Sequence, residues 1–286
     1  MPIDIERVVG AEFGQTNVSW GADQVILYHL GIGAGNPPIA PDELALCYEG
    51  GDGLRVMPTF ATIPAFGSMS GFATLPGVDV NLATLLHGEH EVELARRVPV
   101  EAQATNVSRV IGVYDKGKGA LLEVETVTAA GGAPLFTNRA RLFLRGEGGF
   151  GGDPGPAGST VVPDRDPDLT VETPTLPQQA LLYRLSGDRN PLHADPGFAA
   201  LGGFERPILH GLCSFGIVLK GLVDGALEGN PESVRRYRGR FAGIVYPGET
   251  IETSIWQRDG GGFVLEASTK ERGSPVLAHG MVELSG

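Results

Sequence analysis

Two halves of this 286-residue chain echo one another, and the echo keeps its order. Leu27-Tyr28-His29-Leu30-Gly31 followed by Asn36-Pro37 resembles Leu182-Tyr183-Arg184-Leu185-Ser186 followed by Asn190-Pro191, with one residue of slippage. Pro58 with Phe66-Gly67 matches Pro207 with Phe215-Gly216, and Arg97-Val98-Pro99 matches Val245-Tyr246-Pro247. Leu122-Glu123 then matches Leu265-Glu266, and Pro134-Leu135-Phe136 matches Pro275-Val276-Leu277. The offset between partners shrinks along the chain, as expected for a duplication whose first copy is the longer. Two similar half-domains are the economical reading.

Each copy opens with a polar loop, continues into an apolar stretch of helical length and ends in several strands. In the second copy, Leu209, Leu212, Ile217, Leu219 and Val223 lie among small residues from Ile208 to Val223, which suits a buried helix. Four segments rich in β-branched and aromatic residues follow: 240–246, 250–256, 262–269 and 275–284. Pro-Gly-Glu, Arg-Asp-Gly-Gly-Gly and Arg-Gly-Ser-Pro turns separate them, so antiparallel pairing is expected. A helix laid on a curved antiparallel sheet is the α+β solution. Residues 146–168 are rich in Gly, Pro and Asp and join the copies. The organisation expected is therefore residues 1–150, a linker at 151–168, and residues 169–286. The glycines of the junction do not make a nucleotide loop, because Asp153-Pro154-Gly155-Pro156 stands where such a loop needs a helix.

Charge narrows the partners. With 22 Lys and Arg against 34 Asp and Glu, the formal net charge is −12, which opposes binding to a phosphate backbone. Nucleic acid is excluded as a partner, whereas a local group of arginines can still meet a small anion. No apolar run approaches the length of a membrane span, and the start of the chain lacks a secretory pattern, so no membrane partner and a cytoplasmic location are expected. Cys47 and Cys213 match no metal spacing and read as reduced thiols.

The chemistry concentrates in the second copy. Residues 186–196, SGDRNPLHADP, hold Asp188, Asn190 and His193 around a proline. The aligned loop of the first copy keeps Asn36-Pro37 but has Ala34 under Asp188 and Ile39 under His193, so it carries no acid or base. Carboxylate and imidazole exchange protons near neutral pH, and set across a proline turn both can address one water molecule. Asn190 can hold either by donating from its amide. The same residues also spell a chain of turns, with Asp188 as an Asx-turn residue and Asp195-Pro196 opening a helix.

A second cluster, His210-Gly211-Leu212-Cys213-Ser214, lies where the buried helix should begin. The first N–H groups of a helix have no internal partner, so that of Gly211 can serve an oxygen gaining negative charge. Arg206, His210 and Ser214 flank it as candidate substrate contacts, His210 being equally suited to orienting the loop. Cys213 has no elbow motif of a nucleophile and reads as core. His87 and His90 are too closely spaced for the helical zinc motif and no third ligand is apparent, so no metal is expected. Arg96-Arg97, Arg139, Arg141 and Arg235-Arg236 are left open as phosphate contacts.

The stretches Tyr183–Pro196, Pro207–Cys213 and Arg240–Glu249 resemble the MaoC-like, or hydratase 2, family, and the Gly-Asp-x-Asn-Pro-Leu-His motif is rather specific to it. Leu30–Ala34, Leu85–Glu89, Asp115–Gly119 and Leu144–Gly152 resemble the non-catalytic half of its two-copy members. The resemblance spans almost the whole chain. It implies a double hot-dog fold, each antiparallel sheet wrapping a central helix, and (R)-specific hydration of trans-2-enoyl-CoA. It assigns Asp188, Asn190 and His193 to the catalytic motif and Gly211 to the thioester carbonyl, with a first copy that makes room for bulky acyl chains. It implies no cofactor beyond the coenzyme A carried by the substrate, and a homodimer. Dehydration of 3-hydroxyacyl thioesters in a synthetic pathway, or a silent acyl-binding subunit, are the alternatives.

Overall fold

The computed structural model describes residues 3–50, 53–78, 85–155 and 160–286. Ten strands form one antiparallel sheet: β1 (Glu12–Trp20), β2 (Leu85–Leu94), β3 (Ala102–Asp115), β4 (Gly119–Ala130), β5 (Ala133–Arg145), β6 (Leu169–Pro174), β7 (Val234–Phe241), β8 (Thr250–Gln257), β9 (Phe263–Thr269) and β10 (Pro275–Leu284). Their order is β1-β3-β4-β5-β2-β7-β10-β9-β8-β6. Read from the β2/β7 seam outwards, the two halves are the same list, so the duplication is written into the sheet as a pseudo-twofold. Three of the five sequence echoes fall at equivalent places in and beside the strands. Leu122 and Leu265 lie in β4 and β9, Pro134 and Pro275 near the starts of β5 and β10, and Arg97 and Val245 in the connections after β2 and β7. The seam is an antiparallel ladder pairing Glu89 with Arg240, Glu91 with Arg238 and Glu93 with Arg236.

The expected strand at 240–246 is displaced. The strand is Val234–Phe241, and the chain leaves the sheet at Ala242-Gly243, where a Cβ on Gly243 would stand 2.3 Å from the Pro275 carbonyl oxygen. Arg236, Arg238 and Arg240 alternate with Tyr237, Gly239 and Phe241, and Arg235, which breaks the alternation, falls at a register shift against β10.

Helices cover the inner face. The first copy contributes Ile5–Val8 (α1), Ala22–Gly31 (α2), Pro41–Cys47 (α3) and Thr62–Phe66 (α4); the second contributes Gln179–Tyr183 (α5), Pro196–Leu201 (α6) and Gly211–Ala226 (α7). Among the described residues, only the second copy has a long central helix. In α7 every residue from Cys213 to Val223 is buried. Gly216 lets it approach α2, since a Cβ there would lie 2.7 Å from both Ile32 and Tyr28. Its counterpart in the first copy is broken into a 3-10 turn (Pro58–Ala61), α4 and a second 3-10 run (Gly67–Thr74). Pro64 cannot donate within a helix, and Gly67 and Gly71 weaken its continuation. The expectation of a helix in each copy is thus corrected for the first.

The broken helix leaves space. A cavity of about 280 Å³ lies between it and the inner sheet face, lined by Ala65, Phe66 and Phe72 on one side and Val124, Ala140 and Leu142 on the other, and it reaches Leu212 of α7. Two buried clusters form the core. The larger joins both copies through α7, Tyr28, Phe60, Tyr183 and Tyr237; the smaller lies under β3, β4 and β5. The copies are also tied by a buried ion pair, Lys220 of α7 to Glu43 of α3 at 2.6 Å, with Glu43 accepting from Gly35 N–H at 2.7 Å.

Arg139, Arg141, Arg235 and Arg236 are engaged in ion pairs on the outer face of the sheet. Arg139 meets Glu91, Glu93 and Glu125, Arg141 meets Glu89 and Glu123, Arg235 meets Glu93 and Glu283, and Arg236 meets Glu91 and Glu283. Burial would raise the Glu91 carboxyl, yet hydrogen bonds from Arg236 and Arg139 hold it below its ordinary value.

Candidate active site

The segment 186–196 is built from three successive turns. Gly187 adopts φ 136°, which a side chain would strain. The Asp188 carboxylate then accepts from Asn190 N–H at 3.1 Å, the Asn190 side-chain Oδ1 accepts from Leu192 N–H at 3.0 Å, and Asp195 caps α6 through Gly197 and Phe198. Asn190 thereby opens the 3-10 turn Pro191–His193. Its side-chain oxygen is spent on that turn, and no contact of its amide with Asp188 or His193 is formed. The turns bring the Asp188 carboxylate and the His193 ring to one place.

The first-copy loop is not shaped alike. Residues 32–40 pass through turns and bends, and Ile39 is 84% exposed, whereas its aligned partner His193 is 8% exposed.

His193 is fixed by its Nδ1, which lies 2.8 Å from the Ile208 carbonyl oxygen. A carbonyl only accepts, so Nδ1 carries the proton and Nε2 is left as a lone pair. Burial lowers the His193 pKa, against the raising effects of the Ile208 carbonyl and the Asp188 charge. One carboxylate oxygen of Asp188 and one ring nitrogen each of His193 and His210 lie within 4.8 Å of one another. A water hydrogen-bonded to two such atoms spans up to about 5.6 Å, so one water can join Asp188 to His193.

His210 stacks on His193 with centroids 3.7 Å apart and packs against Tyr183 at 4.9 Å. Its Nε2 donates to the Asp188 backbone carbonyl at 3.2 Å, which ties the turn to the start of α7. Burial, then the neighbouring His193, push its pKa down to about 3, so the ring is neutral. Gly211 is the first residue of α7 and is exposed, and the Phe241 ring stands 3.3 Å from where its Cβ would be. Of the remaining candidates, Ser214 is buried and donates to the His210 carbonyl at 3.4 Å, and Arg206 is exposed, its guanidinium 4.7 Å from the centre of the Tyr246 ring. Cys213 is buried and its thiol donates to the Gly31 carbonyl at 3.3 Å.

Among the described residues, Asp188, His193 and His210 are also the one group of three that could hold a metal ion. His87 and His90 are instead occupied with each other at 3.2 Å and, through His90, with Asn138 at 3.0 Å. Both line the apolar cavity, as do Thr126 and Asn138. Room in the first copy was expected only from the resemblance, and the place of Phe241 between Gly211 and His87, whose ring it meets at 4.9 Å, was not foreseen from the sequence. The only local signal was Pro64, which forbids a continuous helix.

Comparison with known proteins shows the family. Residues 19–146 match the MFE-2 hydratase 2 N-terminal domain and residues 159–284 the MaoC-like domain. The chain belongs to the MaoC-like hydratase 2 family. Enoyl-CoA hydratase ChsH3 of Mycobacterium tuberculosis is 44% identical to it, with 98% of each chain covered. The peroxisomal enoyl-CoA hydratase 2 of Arabidopsis thaliana is 41% identical over 95% of this chain and 92% of its own. Among solved structures, the MaoC-like dehydratase from Phytophthora capsici superposes with a TM-score of 0.88 at 32% identity, covering 98% of both chains. The double hot-dog α+β fold follows from these neighbours and from the mirrored sheet.

Proposed function

We propose that this member of the family is an (R)-specific enoyl-CoA hydratase, a hydro-lyase that adds water reversibly across trans-2-enoyl-CoA to give (R)-3-hydroxyacyl-CoA. The observation that carries the reading is the pair Asp188 and His193, fixed by backbone contacts and within one water of each other. The N–H of Gly211 polarises the thioester carbonyl, a role typically contributing about 10²–10³-fold. Asp188 and the Nε2 lone pair of His193 hold the water, hydroxide character develops at C3, and a proton reaches C2 on the same face. Asn190 supports the turn that presents them, and His210 ties that turn to α7. The same catalyst run backwards is a dehydratase. A relative named 3-hydroxyacyl-thioester dehydratase Y of Mycobacterium tuberculosis, 38% identical over 96% of this chain, fits that equivalence.

In this proposal residues 169–286 form the catalytic repeat, 151–168 the linker and 1–150 the repeat that receives the acyl chain, in the cavity left by the broken helix. Leu212, next to Gly211, connects the two. Thioester-borne coenzyme A is the only cofactor required, and a cytoplasmic homodimer completes the proposal; no helix among the described residues is long and apolar enough to cross a membrane. The test is turnover of short, long and bulky trans-2-enoyl-CoAs with the handedness of the product determined. Asp188→Asn and His193→Gln are expected to lower kcat by about 10²–10⁴-fold with the fold intact. Near-normal turnover in folded Asp188→Asn protein, or an (S) product, overturns the assignment.

A further inference from the structure

A second cavity, of about 400 Å³, opens on the opposite side of the sheet. Along β5, Ala140 and Leu142 face the apolar cavity, while Arg141 and Phe143 face this one. The sheet itself is the wall between them. The lining is cationic: Lys116, Arg141, Arg238 and Arg240 stand against Glu89. Glu89 already holds Arg141 at 2.6 Å and reaches Arg238 only at 3.9 Å. Arg238 also donates to the Thr160 hydroxyl at 3.1 Å, and Lys116 to the Pro154 carbonyl. Arg240 is exposed, and no ion pair to it is formed among the described residues. Every other arginine of β7 has a carboxylate within 4.0 Å. On a chain of net charge −12, this is a local excess of positive charge in a concave place.

His279 adds an independent observation. It lines the same cavity and sits in the left-handed region at φ 55°, inside a bulge of β10 between Ala278 and Met281. Glu228, the other non-glycine residue with positive φ among those described, follows the end of α7, where such a conformation is ordinary. At His279 the left-handed residue belongs to the bulge, which re-aims its side chain towards the cavity, and bulges of this kind cluster beside functional sites. Its Nδ1 donates to the Thr160 carbonyl at 3.0 Å, so Nε2 is left as a lone pair that accepts from a ligand hydroxyl or a protonated phosphate oxygen.

The geometry points to a second binding site, for the phosphate group of an anionic small molecule distinct from the thioester being turned over. Arg240 is the primary anion contact, Arg238 and Lys116 flank it, and His279 closes one side. A cavity of this size exceeds one phosphate and suits a pyrophosphate or a phosphorylated sugar or nucleotide.

The experiment is calorimetric titration of the full chain with inorganic pyrophosphate, beside Arg240→Gln and His279→Gly. Saturable binding at one site per chain is expected, weakened about tenfold or more in Arg240→Gln. His279→Gly should raise Tm by about 2–4 °C through relief of the left-handed conformation, and weaken pyrophosphate binding at the same time. Absence of saturable binding to the parent chain, or an unchanged affinity in both variants, overturns the site. A rise in KM for enoyl-CoA in Arg240→Gln, in step with the lost pyrophosphate affinity, overturns the second-ligand assignment in favour of the substrate's own phosphates. The binding measurement itself stands or falls independently of the hydratase reading.

Discussion

Lowering the pH from 8 to 5.5 should cost this protein a large part of its stability, because several histidines are buried in the neutral form. His29 shows why. Its Nδ1 donates to the Leu46 carbonyl at 2.6 Å and its Nε2 accepts from Met57 N–H at 3.0 Å, so an added proton would break the second bond. Burial, then the nearby Lys220 charge against the opposing Leu46 carbonyl, leaves its pKa at about 4. Burial likewise brings His90 to about 4, against its bond to Asn138, and His210 to about 3. In the unfolded chain each imidazole titrates near 6.5. Folded pKa values below the unfolded one mean that the stabilising effect is complete above about pH 6.5 and is lost as pH falls towards the folded values. At pH 5.5 each unfolded imidazole is about nine-tenths protonated and each folded one is nearly unprotonated. Integration from pH 8 gives a little over 1 kcal/mol per histidine, or about 4 kcal/mol for the three. The sum holds as long as the folded values stay below about 4.5. Against a typical total of 5–15 kcal/mol this is a large loss. Urea unfolding followed by fluorescence of the buried Trp20 and Trp256 at pH 8, 7, 6 and 5.5 measures it. Glu89 and Asp224, both raised by burial, act with the opposite sign, so His29→Gln serves as the internal comparison: its loss over the same window should be smaller by one histidine's share, roughly 1 kcal/mol or slightly more. A difference below about 1 kcal/mol between pH 8 and 5.5 would refute the claim that these rings are held neutral.

Gly211→Ala places a Cβ 3.3 Å from the Phe241 ring and should lower kcat more than it raises KM, at little cost in Tm; unchanged kcat would remove Gly211 from the thioester. Ala140→Phe puts a ring into the inner cavity and should spare short enoyl-CoAs while lowering kcat/KM for long or bulky ones about tenfold or more, read from a chain-length series. Lys220→Met strands the Glu43 carboxylate in the core and should destabilise by about 3–5 kcal/mol in urea, whereas Lys220→Met with Glu43→Leu should recover much of that loss. A double variant no more stable than Lys220→Met would mean that the pair does more than satisfy its own charges.

How much of this was legible depended on how far apart the cooperating residues lie in the chain. Asp188 and His193 are five positions apart on a turn written by Asn190-Pro191, so their convergence needed no knowledge of the fold. The role of the Asn190 side chain was open for the same local reason: an amide beside its own turn has a backbone N–H within closer reach than a neighbouring side chain. The strand order was legible only through the duplication, which fixed that both halves be alike without fixing which strands meet at the seam. The arginines of β7 needed that register. Until Glu89, Glu91 and Glu93 are laid beside Arg240, Arg238 and Arg236, they read as exposed charge rather than as a strand. The central helix of the first copy is the instructive failure, because matching Pro58 to Pro207 and Phe66 to Phe215 implied that both stretches fold alike. Pro64 and Gly67 break the first into short turns, and the inner sheet face above them is covered loosely enough to leave a cavity beside Leu212. A close-packed interior tolerates few voids larger than a water molecule, so a copy that kept its long helix would have filled that space. The half without an acid and a base is thus also the half with room, and a chain needing only one active centre can use its other repeat to hold what the centre acts on.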